Sequence, residues 1–386
     1  MAKQVLQTAY PISIDRNYPI KVFADTIKAL EASGVVDTTE MWDQLVGWTP
    51  RCLWTPKRTP MARAVPDLDS YADWYSMVGY MAAIAPTLGS VISLDTLRRG
   101  PAELTQTMMT LANITEGKST FHMGAGEIKQ IQPYGWDIKQ KMGRLEDFYK
   151  IFDAFRNNNK TPVSYEGKFT TLDNAWLGVA RPYTPKIWGI GGGPKIIDMA
   201  TTYADGFATM GVMVWSNPEH AAAEIKSIKA LLTSKGRDPN GFGFGAYMPC
   251  LVHEDEKVLD NALNHDLMRW HATIWGRINQ GDWDKEGLPA PMGKDWHYAN
   301  QLLPMRIGEA EAEDMISRAT RKHVEKSVAY GTPKQVAEQI QAYVDAGVTW
   351  VGVNDILPSV LEPEDAMNAF QRTIEVCRLL KQKNKD

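Results

Sequence analysis

The sequence predicts an α/β protein of the (β/α)8 TIM-barrel class, with insertions at the C-terminal face of the barrel. Three observations predict it. Strand-like and helix-like stretches alternate along the 386 residues, an order that implies a parallel sheet. The alternation yields about eight units, which close a barrel more readily than they form an open doubly wound sheet, the alternative. The region from about 261 to 329, rich in Trp, His and Asp, fits no single βα unit and reads as a helical insertion near the barrel mouth. The whole chain, 1–386, is then one barrel domain.

The elements follow in order. Val5–Ile14 is a first strand, and Pro19–Leu30 a helix with Phe23, Ile27 and Leu30 on one face. Thr39–Gln44 is the second strand, followed by a large apolar helix over Asp69–Ala85. Gly89–Leu94 is β-branched, and Pro101–Ala112 opens with proline where the missing amide is tolerated. Ser119–Gly124 is the fourth strand, and Arg144–Phe155 aligns Leu145, Phe148, Phe152 and Phe155. Pro162–Leu172 reads as an inserted hairpin turning near Glu166-Gly167. Lys186–Ile190 is a buried strand ended by Gly191-Gly192-Gly193-Pro194, and its helix runs to about Ala204. Gly206–Gly211, a helix over His220–Ser234 and Phe242–Val252 come next. Thr332-Pro-Lys-Gln335 is a capping box, with Val336, Ile340 and Tyr343 inward and Gly347 closing the helix. Val348–Val353 and Pro363–Lys381 complete the series.

Composition excludes several classes. A net charge of −4 argues against a nucleic-acid partner. No run reaches about 18 apolar residues, so no membrane span is expected. Residues 1–10 lack the basic stretch and apolar core of a signal peptide. Cys52, Cys250 and Cys377 are odd in number and far apart, which fits a reducing cytoplasm. The seven histidines show no metal-ligand spacing, so no metal site is expected. The 13 tryptophans suit a core or a pocket for a flat ligand.

In a barrel of this class the site lies at the C-terminal strand ends. Strand two ends in Asp43-Gln-Leu-Val-Gly-Trp48, strand three in Ser93-Leu-Asp95, strand four in Gly124-Ala-Gly-Glu127 and strand five in Ile190-Gly-Gly-Gly-Pro194. The glycine triplet brings backbone amides and a helix N-terminus together, an arrangement that favours phosphate, though a plain tight turn has the same look. It matches neither a P-loop nor the dinucleotide fingerprint. Glycine before Glu127 lets a flat ring approach the main chain. Glu127 itself is either a general acid or acceptor, or a helix-start carboxylate.

Together these stretches resemble the bacterial luciferase-like superfamily of barrel flavoenzymes, and most of all its branch that uses the deazaflavin coenzyme F420. The resemblance rests on Gly124–Glu127 with Pro133-Tyr-Gly135, on Pro185–Pro194, on Tyr203-Ala-Asp-Gly206 and on Gly331-Thr-Pro333. The stretch Leu172–Leu177 through Gly206 is similar to the phthiodiolone ketoreductase-like members. The resemblance implies a hydride-transferring oxidoreductase acting on a carbonyl, imine or activated double bond. It places the coenzyme's tail phosphate on Gly191 to Pro194, with Ile190 and Gly126 also binding the coenzyme and Glu127 and Gln130 facing its ring or side chain. It implies a non-prolyl cis peptide at Ile92-Ser93 behind the ring. Asp43 and Trp48 match the family's D-H-x-x-x-W stretch, but Gln44 stands where its dehydrogenases have histidine. Glutamine hydrogen-bonds but does not transfer a proton near neutral pH. The proton would then come from Glu127, water or the insertion. Trp48, Trp54 and Trp74 would line the substrate site. A cytoplasmic homodimer with no nucleic-acid or membrane partner is expected. Two other readings remain: an FMN-dependent monooxygenase or reductase on the same barrel, and a non-catalytic homologue.

Overall fold

The computed structural model describes residues 5–12, 15–158 and 160–385. Among these residues, eight parallel strands close a barrel: β1 (Gln7–Pro11), β2 (Thr38–Trp42), β3 (Gly89–Asp95), β4 (Ser119–Gly124), β5 (Lys186–Ile190), β6 (Gly206–Met210), β7 (Gly243–Val252) and β8 (Trp350–Asp355). Each strand pairs with the next, and β8 returns to β1 with Gln7 opposite Trp350. The helices of the outer ring are α1 (Ile20–Ser33), α2 (Trp74–Ile84), α3 (Pro101–Ile114), α4 (Lys141–Arg156), α5 (Pro194–Tyr203), α6 (Pro218–Ser234), α7 (Pro333–Asp345) and α8 (Ala369–Lys383).

Several boundaries differ from the sequence reading. The first strand is shorter, and Ser13 and Ile14 lie outside the described residues. Strand β2 stops at Trp42 because the Gln44 amide folds back onto the Trp42 carbonyl. Helix α2 starts at Trp74, not Asp69. Asp73 caps it by accepting from Ser76 N, and Asp67 draws Asp69 and Ser70 into a separate turn. The helix expected over Pro363–Lys381 is two pieces, Pro363–Ala366 and α8. The capping box at Thr332 forms both of its hydrogen bonds.

Alternation along the strands sorts the side chains into two cores. Outward residues such as Ile92, Leu94, Phe121 and Val353 pack under the helices with Met108, Phe148 and Phe152. Inward residues fill the barrel: Ala9, Val91, Ala208, Tyr247 and Trp350, with Trp42, Trp188, Ile190 and Met210. The largest of these demands space from its neighbours. The Trp188 indole lies where side chains on Gly206 and Gly243 would stand, and a Cβ on Gly245 would come within 2.9 Å of it. His122 stacks on the same indole, with centroids 5.1 Å apart. Burial holds this imidazole neutral, pushed down to about 3.

Between β7 and α7 the chain adds helices Glu256–Leu263, Asp266–Trp275, Tyr298–Gln301, Glu309–Ser317 and Arg321–Glu325. The buried Arg277 fastens this segment to the barrel. Its Nη1 donates to the carbonyls of Val212, Gly276 and Lys326, and its Nη2 to Glu286 at 2.9 Å. A two-stranded antiparallel hairpin, Val163–Glu166 with Thr171–Ala175, precedes β5.

Inside the barrel, Glu40 accepts from Asn354 Nδ2 at 3.1 Å, while its other oxygen lies against Gly352, which has no side chain to collide with it. Burial pushes this carboxyl up from 4.5 to about 8. The unfolded chain ionises it first, so its contribution is complete below pH 4.5 and is lost as pH rises through about 8. Denaturant titrations should therefore show stability falling over that window by up to about 1.4 kcal/mol per pH unit more in the wild type than in Glu40→Gln. Equal slopes would mean Glu40 is ionised in the folded barrel.

Candidate active site

The site is built at the C-terminal ends of β2 to β5. After β2 the chain turns through Asp43 to Trp48, held by side chains from beyond the ends of β3 and β4. Gln130 donates to the Val46 carbonyl and accepts from Leu45 N, both at 2.7 Å. Lys129 Nζ donates to the same carbonyl at 2.7 Å. Asp43 faces Arg98 at 3.0 Å and Arg99 at 3.4 Å, and Arg98 also pairs with Asp95 at 2.8 Å. Burial raises the Asp43 carboxyl above its ordinary range, and the two arginines oppose that rise.

Glu127 stands at the centre. Its Oε2 accepts from Trp48 Nε1 at 3.1 Å and pairs with Lys129 Nζ at 3.0 Å. The ammonium also sits 4.4 Å from the Trp48 ring centre. Burial pushes Lys129 below its usual value, and the Glu127 charge opposes that. From the insertion, Tyr298 stands beside Glu127. Burial and the neighbouring carboxylate hold Tyr298 well above the ordinary phenol range. Gly126 makes the approach possible: its φ is 85°, and a Cβ there would lie 2.7 Å from Ile131. Trp48 meets Trp42 edge-on at 5.6 Å. The buried Gln44 Oε1 has no hydrogen-bond partner among the described residues.

Strand β3 contributes Ser93, whose hydroxyl lies 2.5 Å from that of Tyr247. Tyr247 in turn reaches His122 Nδ1 at 2.6 Å. Strand β5 ends in Ile190, which points inward, and in the glycine turn. Gly191 has φ 152° and donates to Ala208 O at 3.2 Å. Gly193 is the N-cap of α5 and Pro194 its first residue. Among the described residues, the amides of Gly192 and Gly193 donate to no protein group, and a Cβ on Gly193 would meet nothing within 4 Å. These features fit an anionic group laid on the turn.

Asp43, Gln44, Trp48, Gly126, Glu127 and Gln130 therefore come together, with Ser93 on the neighbouring strand and Ile190 to Pro194 on the far side of β4. Some expectations need correcting. The Ile92 side chain packs outward under the helices and leaves only its backbone near the mouth. No cis peptide occurs among the described residues. Strand β3 runs on in register to Asp95, opposite Gly124, with no bulge at Ser93. Both polar ends of Gln130 are taken by the β2 turn, so it shapes the site from behind. Trp74, the first residue of α2, is fully buried and meets Phe121 edge-on. Trp54 packs with the insertion and donates to Val65 O at 2.6 Å. Lys129, Arg98 and Tyr298 were missed. Lys129 sits between Ile128 and Ile131 in a buried turn, a signal the sequence does carry, whereas nothing near Tyr298 marks it.

Residues 53–349 match the family model described as luciferase-like monooxygenase. The chain belongs to this family. It is 26% identical over 322 residues to a phthiodiolone/phenolphthiodiolone dimycocerosates ketoreductase of Mycobacterium kansasii, covering 82% of this chain and 86% of that one. Its fold is similar to an F420-dependent secondary alcohol dehydrogenase solved with an F420-acetone adduct (TM-score 0.69, 16% identity, 97% and 99% of the two chains). It is also similar to a riboflavin lyase solved with modified FMN (TM-score 0.68, 14% identity, 98% and 92%). No helix among the described residues is long and apolar enough to cross a membrane.

Replacing Lys129 by Met should cost about 2–3 kcal/mol in urea unfolding. That is below the roughly 3–5 of a fully buried broken pair, because the Glu127 side chain keeps 21% exposure. A loss under about 0.5 kcal/mol, the range of ordinary surface substitutions, would show that the ammonium does not hold the turn.

Proposed function

We propose that the protein is an F420-dependent oxidoreductase that reduces a ketone by hydride transfer. The observation that carries this reading is Glu127, fixed at the barrel mouth by Trp48 and Lys129, with an open glycine turn at the end of the adjacent strand β5. The named activities of the ketoreductase relative and of the alcohol dehydrogenase neighbour support it.

Gly191, Gly192 and Gly193 would hold the tail phosphate of the coenzyme, and the α5 N-terminus would favour its charge. Ser93, Gly126 and the unpartnered Gln44 Oε1 would border the ring. When bound, the deazaflavin supplies a hydride-exchanging carbon. The protein's share is orientation, exclusion of water and proton handling. Gln44 orients a carbonyl through its amide and moves no proton. Glu127 exchanges the proton with the substrate oxygen at Oε1, since Oε2 is occupied by Trp48 and Lys129. Trp48, whose carbonyl accepts from Trp270 Nε1 at 3.1 Å, would shield that proton from bulk water. FMN is the second reading, favoured by the FMN-bearing structural neighbour, and the same turn would take its phosphate.

Fluorescence titration of the purified protein with F420 and with FMN tests the cofactor. Tight F420 binding with weak FMN binding supports the proposal; the reverse moves it to the flavin reading. Gly193→Asp is the sharper variant, because Asp at an N-cap favours the helix by a few tenths of a kcal/mol over Gly while its charge repels phosphate. Melting temperature should hold or rise, and F420 affinity should fall at least about ten-fold, the effect of roughly 1.4 kcal/mol of repulsion. Unchanged affinity would remove the phosphate from this turn. With 2-octanone and acetophenone as ketones, Glu127→Gln should lower turnover by about 100-fold or more and leave coenzyme affinity within about two-fold, under roughly 0.5 kcal/mol. Full turnover would reduce Glu127 to a helix-start carboxylate.

A further inference from the structure

Inside the barrel, side chains from three strands form one hydrogen-bonded row. Ser93 on β3, His122 on β4 and Tyr247 on β7 all point inward, since their neighbours Ile92, Phe121 and Met248 pack outward. Register sets Ser93 opposite His122 on one side and opposite Trp42, the last residue of β2, on the other. The Ser93 carbonyl accepts from Asp43 N at 2.9 Å, so this serine stands at the rim. It is partly exposed, whereas His122 and Tyr247 are fully buried. The Tyr247 hydroxyl lies between the two, 2.5 Å from Ser93 Oγ and 2.6 Å from His122 Nδ1. The far nitrogen, His122 Nε2, is buried and has no hydrogen-bond partner among the described residues. The imidazole is held in place: it stacks on Trp188 with 10° between the planes and meets the Tyr247 and Trp350 rings edge-on.

A phenol carries one proton, so the row has a direction. A neutral imidazole carries one as well, on either nitrogen, and burial keeps His122 neutral. With that proton on Nε2, Tyr247 donates to Nδ1, Ser93 donates to Tyr247, and a buried N–H is left without an acceptor. With it on Nδ1, His122 donates to Tyr247, Tyr247 donates to Ser93, and the Ser93 proton is free to point into the mouth. Both arrangements make the same two bonds. The second leaves only a lone pair inside and moves the spare donor to the one member that is partly exposed. Among buried backbone groups an orphaned N–H is rarer than an under-satisfied acceptor, and the same preference selects the second arrangement here.

We propose that His122 holds its proton on Nδ1, so that Ser93 presents a hydroxyl donor at the barrel mouth to a carbonyl-bearing ring, with His122 and Tyr247 as positioning residues acting through it. This deepens the cofactor reading and rests on it for the identity of the ligand: a deazaflavin ring carries carbonyl acceptors, and Ser93 would border that ring. The direction of the donor is set by a buried group two side chains away.

The tautomer is read first, without any ligand. Nitrogen NMR of protein labelled in its histidine rings distinguishes a protonated ring nitrogen from a bare one, and Tyr247→Phe identifies His122 as the histidine whose signals move. Wild type should show His122 protonated at Nδ1 and bare at Nε2. A proton on Nε2, or on both nitrogens, overturns the proposal. F420 affinity is then measured for wild type, Ser93→Ala, Tyr247→Phe and the double variant. Ser93→Ala removes the donor and should weaken F420 binding about ten-fold, the effect of roughly 1.4 kcal/mol. Tyr247→Phe leaves the hydroxyl in place but unaimed and should weaken it about five-fold. In the Ser93→Ala background the same change should cost less than about two-fold, because groups acting as one unit are not additive. Unchanged affinity in Ser93→Ala overturns the donor. An undiminished five-fold loss in the Ser93→Ala background means that Tyr247 acts through packing and overturns its positioning role. A wild type that binds no deazaflavin overturns the cofactor reading and the ligand named here, while the His122 tautomer, read without ligand, decides the direction of the row by itself.

Discussion

A lysine ammonium removed from water must be given partners or it unfolds its surroundings, and Lys129 is such a group. It is almost wholly buried, and it meets a carbonyl of the β2 turn, the carboxylate that follows β4 and the face of an indole. Each partner belongs to the mouth of the barrel. The charge therefore acts as a rivet: the turn after β2 cannot move away from the end of β4 without stranding an ammonium, and Glu127 cannot leave without stranding it further. Asp43, Arg98 and Asp95 repeat the device one strand over, with two carboxylates around a buried guanidinium. The mouth is held by paired charges, whereas the body of the barrel is held by apolar packing.

That division explains the placement of chemistry. Under the helices, apolar side chains close the core without polar obligations. At the strand ends the backbone leaves the sheet, its amides need partners, and side chains such as Gln130 and Asp95 supply them. In the glycine turn before α5, among the described residues, the amides of Gly192 and Gly193 donate to no protein group, and Gly193 faces open space. Open amides at a helix start favour an anion.

Much of this was legible. The fourth and fifth strands and the capping box at Thr332 follow from local pattern, because β-branched runs, glycine punctuation and cap chemistry are properties of neighbouring residues. The ends of β2 and α2 were misplaced because Trp42, Gln44 and Asp69 look apolar-periodic or helical until a turn hydrogen bond redirects them. At the site, residue types were read well and roles less so. Gln130 is a plausible ligand for a ring until its amide is seen spent on Val46 and Leu45. Trp74 is a plausible pocket wall until the register of α2 turns it inward. Tyr298 was out of reach, since only the folded insertion brings it beside a residue near the middle of the chain, and no spacing rule spans that gap.

The indole of Trp188 and the glycines around it carry a consequence for how such a protein changes over time. Gly206, Gly243 and Gly245 sit on two adjacent strands, and each is small because one ring occupies the room its side chain would need. None of the four can drift singly: a larger residue at any glycine collides with the ring, and a smaller residue at Trp188 leaves a void walled by three bare backbones. Innovation in this barrel interior must pass through paired substitutions, a narrow route.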